Sequence, residues 1–143
     1  MCTARWQQVP AGDTCDTSRF YSAIAAGCVP VVLCDAFIGA FASRARYSTF
    51  WVKPRVRDFA ANPAALVRAL QEMPELEFRK RRAALARARK DVLYDVVGSR
   101  AGTNFLLAAQ ACVARASSGS AALALPHIQD LAIRKILPLR AWR

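Results

Sequence analysis

The residues whose types and spacing could do chemistry gather in one stretch, Val9 to Asp35, which reads V-P-A-G-D-T-C-D-T-S-R-F-Y-S-A-I-A-A-G-C-V-P-V-V-L-C-D. Gly12, Asp13 and Thr14 offer a small residue, an acceptor and a hydroxyl just ahead of a helix start. Asp16 is the expected N-cap, with the helix opening at Thr17. Such a start presents free backbone N–H groups and the positive end of the helix macrodipole. Thr17, Ser18 and Arg19 add two hydroxyls and a guanidinium fork on the first turn, which suits a phosphate or diphosphate. The competing reading is structural: Arg19 pairs with Asp13 or Asp16, and the loop merely joins a strand to a helix.

Positioning these residues requires a strand before them and a strand after. Trp6 to Val9 reads as the first, anchored by Trp6 and Val9. The helix continues along Phe20, Ala23 and Ile24, an i, i+3, i+4 apolar stripe, and stops at Gly27, suited to a left-handed cap. Cys28 to Cys34 is a continuous apolar run rich in valine, as in a parallel strand covered on both faces, with Pro30 near its start. The next connection, Asp35 to Arg46, carries Phe37, Ile38, Gly39 and Phe41, and either lines a ligand crevice or is an ordinary surface loop. Tyr47 to Lys53 reads as a further strand ended by Pro54.

Three more helices follow. Asn62-Pro63 opens one that runs to about Met73 with Leu66, Val67 and Leu70 inward. Pro74 opens another, to about Tyr94, with Leu76, Leu85, Val92 and Leu93 apolar and Arg79-Lys80-Arg81-Arg82, Arg87, Arg89 and Lys90 as a solvated or anion-binding face. The last spans Thr103 to Ala116 with Phe105, Leu106, Ala109 and Val113 inward. Alternating strands and helices predict an α/β fold: a partial Rossmann-like, three-layer domain with a small parallel sheet centred on Val29 to Leu33. Residues 117–143 read as a Ser/Gly linker, Ser117 to Ser120, and a basic tail with a short amphipathic helix from His127 to Leu137.

The order G-D-T, then T-S-R, then A-I-A-A-G-C-V-P-V-V resembles the donor-domain signature of the exostosin-type glycosyltransferases. The likeness continues more loosely through Tyr47-Ser48-Thr49-Phe50 and the Arg-rich helix to about Phe105, and departs at Ser22, where many members carry an acidic residue. The resemblance implies a two-domain GT-B enzyme that transfers a sugar from a nucleotide donor, a UDP-sugar, to a glycan acceptor. On that basis residues 1–116 form half of the donor domain, with the N-terminal acceptor domain missing. Gly12, Asp13, Thr14, Thr17, Ser18 and Arg19 would then touch the donor, with no metal and no cofactor. The resemblance also implies a Golgi membrane location, although no signal or transmembrane segment is visible in the sequence.

Composition narrows the alternatives. A length of 143 residues predicts one domain with a real core, and a formal net charge of +11 favours an anionic partner. Nucleic acid is disfavoured, because no aromatic interleaving or binding motif accompanies the charge. The five cysteines, Cys2, Cys15, Cys28, Cys34 and Cys112, have no metal spacing with His127. Cys28 and Cys34 read as small hydrophobes, and an odd count leaves any disulfide pairing open. No general base is identifiable; Asp35 is a carboxylate at the strand's end that either serves there or caps the following loop. Against the enzyme stands a catalytically inactive remnant, able to bind a nucleotide or a partner.

Overall fold

The computed structural model describes residues 4–117. The chain divides into two compact units, residues 1–108 and 109–143, and of the second the described part is the end of one helix. In order, the elements are β1 (Trp6–Pro10), α1 (Ser18–Ala26), β2 (Val29–Leu33), a 3-10 turn (Tyr47–Thr49), α2 (Val56–Ala61), α3 (Pro63–Gln71), α4 (Glu75–Val92) and α5 (Ala101–Ser117). The expected tail helix from His127 to Leu137 and the linker beyond Ser117 lie outside the described residues, and Ser117 itself closes α5.

The fold is mixed α/β. β1 and β2 pair in parallel, from Trp6 opposite Val29 to Pro10 opposite Leu33. β2 is the central strand, as its unbroken apolar character predicts, because Val52 bridges Val31 on the other edge. Val52 donates its N–H to the Pro30 carbonyl at 2.9 Å, and Val32 donates to the Val52 carbonyl at 2.8 Å. Pro30 therefore sits inside the strand without loss, because the ladder needs its carbonyl there. The strand expected over Tyr47 to Lys53 is reduced to that one bridge. Tyr47 and Phe50 are both buried, and an i, i+3 pair points the same way only when the backbone coils, so residues 47–49 wind into a 3-10 turn.

One core fills the first unit. Val9 and Val32 of the sheet, Phe20 and Ile24 of α1, and Leu85, Ala88 and Val92 of α4 meet Phe37, Tyr47 and Phe50 from the segment after β2. Phe20 is its hub, completely buried, with ring centroids of Phe37 at 4.6 Å, Tyr21 at 5.3 Å and Tyr47 at 5.4 Å. Burying such a side chain stabilises by about 1.5–3 kcal/mol.

Two expected helix faces are not inward. α3 has no buried residue: Val67 is exposed, and Leu66 and Leu70 are half-buried. α3 packs on α2, a short helix the sequence did not announce, instead of flanking the sheet. In α5, Phe105, Leu106, Ala109 and Val113 are exposed, and the buried residues are Ala101 and Asn104 of its first turn. Asn104 Nδ2 donates to the Asp91 carbonyl at 2.9 Å, so α5 is anchored at its start by a polar contact. Among the described residues no helix is long and apolar enough to cross a membrane.

Candidate functional site

The loop between β1 and α1 leaves the carboxyl end of a parallel strand and enters a helix start, the arrangement the sequence predicts. The helix begins one residue later than expected. Thr17, with extended backbone angles of −139° and 136°, is the N-cap, and its Oγ1 accepts the Arg19 N–H at 3.2 Å. Asp16 is not the cap; its carbonyl accepts a hydrogen bond from Thr14 Oγ1 at 3.1 Å. Gly12 donates its N–H to the Thr14 carbonyl at 3.1 Å, which turns the chain tightly. At the far end Gly27 takes the left-handed φ of 82°, closing α1 with N–H bonds to Ala23 and Ile24.

Gly12, Asp13, Thr14, Ser18 and Arg19 are exposed, and Thr17 is half-buried. The structure brings all six onto one short stretch of surface at the carboxyl edge of the sheet. Among the described residues, Arg19 forms no ion pair with Asp13 or Asp16, so its guanidinium is open to an anion. No acidic residue occupies the first turn of α1, and Asp16 directly precedes its N-cap.

A covalent tie that sequence reasoning did not find fixes this loop. Cys15 is bonded to Cys34, with Cα atoms 5.8 Å apart, so Cys34 is not the free small hydrophobe expected of it. Cys28 is disulfide-bonded as well, and Cys112 is free and exposed. A signal for the first bridge exists: Cys15 follows β1, Cys34 follows β2, and neighbouring parallel strands place such residues side by side.

Asp35, at the same edge, is exposed and acts as a cap. Its two oxygens accept the Val56 N–H at 3.2 and 3.4 Å, which serves the start of α2. Lys53 Nζ crosses beneath, donating to the carbonyls of Asp35 at 2.8 Å and Phe37 at 2.7 Å. These contacts brace the connection of residues 35–46, which is further pinned by two tyrosines. Ala40 donates its N–H to Tyr21 Oη at 2.8 Å, and Tyr47 Oη donates to the Ala40 carbonyl. Burial pushes both phenols above their ordinary range, Tyr47 further, with the neighbouring Tyr21 adding to the effect. Neither is placed to act as a base near neutral pH.

The Arg-rich helix is less uniform than a solvated face. Arg79 pairs with Glu75 at 3.1 Å on the surface, whereas Arg81 is largely covered: its Nη donates to the Trp51 carbonyl at 2.8 Å and its Nε lies 3.0 Å from Glu77. Two wide-open depressions lie along this helix, one of about 300 Å³ beside Arg89, Lys90 and Val97, the other of about 460 Å³ beside Arg87, Lys90 and Arg100. Among the described residues no cluster of His, Cys, Asp and Glu could hold a metal ion. No family model, curated protein or solved structure matches the chain.

Proposed function

We propose that the loop Gly12–Thr14 and the first turn of α1 bind the diphosphate of a nucleotide-sugar donor, and that the chain is the donor-binding half of an exostosin-like glycosyltransferase. The observation that carries this reading is the placement of Arg19, which has no ion pair among the described residues, at a helix start on the carboxyl edge of parallel strands, where open α/β sheets take their ligands. Cleaving the bond between sugar and nucleotide builds negative charge on the departing diphosphate. The positive end of the α1 macrodipole and the Arg19 guanidinium stabilise that charge without a metal. The donor is a UDP-sugar and the acceptor a glycan, on the strength of the ordered G-D-T, T-S-R and A-G-C-V-P-V-V segments.

The sheet and its helices correspond, on this reading, to part of a Rossmann-like donor domain, and the acceptor side with its general base belongs to a second domain. Asp35 is already engaged at the start of α2. The disulfides support a lumenal setting such as the Golgi, since such bonds persist in oxidising compartments. Calorimetry of the full chain with UDP and UMP tests the diphosphate reading. UDP should bind at least about tenfold more tightly, one added charge-assisted contact. Equal affinities would refute it, and donor turnover by the purified chain would separate an active transferase from a remnant that only binds.

A further inference from the structure

The Cys15–Cys34 bond does more than staple the fold. We propose that it positions the 11–16 loop for its anion and makes binding there depend on redox state, an inference that rests on the donor-site reading above. The loop has few other ties. Its hydrogen bonds, Gly12 to Thr14 and Thr14 to Asp16, stay within it, and Ala11 to Thr14 and Asp16 are exposed. Cys15 ties it to the body of the unit, packing against the core and bonding to Cys34 at the end of β2.

The elements on either side stand without the bridge. α1 is held by Phe20, Ala23 and Ile24, all fully buried, and β2 by its ladder with β1 and its bridge to Val52. Breaking the bond therefore frees the loop and spares the fold. It is also reachable, because Cys15 is half-buried while Cys34 is only 6% exposed. The thiolate of a dithiol reductant attacks the Cys15 sulfur, and Cys34 leaves as a thiolate that takes up a proton. The reductant's second thiol then resolves the mixed disulfide and releases Cys15. Two electrons pass to the protein, and the reductant ends as its own disulfide. The freed loop must be re-ordered by each ligand that binds, an entropic cost that weakens affinity.

The test uses the full chain labelled with 15N. In the oxidised protein, order parameters of the loop amides should be about 0.85, falling below about 0.6 after dithiothreitol, with α1 and β2 signals in place. The doubly substituted chain, Cys15→Ser with Cys34→Ser, should show the loose loop before any reductant is added. This separates the bond from the disulfide at Cys28. UDP affinity should drop by about tenfold in parallel. A loop equally ordered in the substituted chain, or a collapse of the whole spectrum, would overturn the proposal, as would UDP binding that ignores the bond. If UDP binds in neither state while the loop still loosens, the donor site is wrong and the tether stands.

Discussion

Replacing Gly39 by alanine should be among the most damaging small changes in the protein, for two separable reasons. Gly39 has a φ of 82°, and a β-carbon there would lie 2.7 Å from Tyr47 Cε2 and 2.9 Å from Cζ. The left-handed backbone costs an L-residue about 1–2 kcal/mol. The ring cannot simply swing aside, since Tyr47 Oη is bonded to Ala40 and the ring stacks on Trp51 at 5.3 Å. Forcing it off adds about 1–3 kcal/mol of overpacking, for a total of about 2–5 kcal/mol. Two other glycines calibrate the measurement. Gly27→Ala meets the same φ with nothing within 4 Å and should cost only the backbone part, while Gly12→Ala meets neither problem and should stay within about 0.5 kcal/mol. Urea denaturation of the three variants reads these differences directly. If Gly39→Ala costs no more than Gly27→Ala, the Tyr47 ring yields freely, and the rigid connection at the carboxyl edge is wrong.

Two further predictions concern the same shell. Arg81→Ala should destabilise by about 1.5–3 kcal/mol, because it strands the Trp51 carbonyl and Glu77, while Lys80→Ala on the exposed face should change little; denaturation midpoints check both. Stability should also fall as pH rises above about 10, where tyrosines of the unfolded chain ionise while Tyr47 and Tyr21 stay protonated in the folded one. The folded state then holds more protons than the unfolded state, so their contribution is complete below that pH and is lost above it. Denaturation midpoints from about pH 8 to pH 11 should show the decline, and a flat profile would remove the tyrosine pair from the account.

What the sequence disclosed was local. The strand–loop–helix–strand order of residues 6–33 is written in a β-branched run, a short apolar helical stripe and a glycine cap, each a near-neighbour pattern. The six candidate contacts followed from that order. What it concealed depends on partners far along the chain. The coil at Tyr47 goes with the packing of Phe20, Phe50 and Trp51 on its ring, and Arg81 is covered because it reaches the Trp51 carbonyl, 30 residues away. The inward stripes of α3 and α5 were real as periodicities, but periodicity says that a face is apolar and not that something covers it. The Cys15–Cys34 bond was legible only after the two strands were paired.

The central claim, that Arg19 at the start of α1 grips a diphosphate, is tested most directly by titrating UDP into the parent chain and into Arg19→Ala, Arg19→Lys and Lys80→Ala by calorimetry. Arg19→Ala should lose about 1.5–3 kcal/mol of binding with its fold intact, since the Arg19 side chain is exposed. Arg19→Lys should recover part of that loss, because an ammonium lacks the planar fork that holds two phosphate oxygens. Lys80→Ala, on the open face of α4, should alter only the salt dependence. Equal losses at Arg19 and Lys80 would mean diffuse attraction to a basic surface, and would contradict the site.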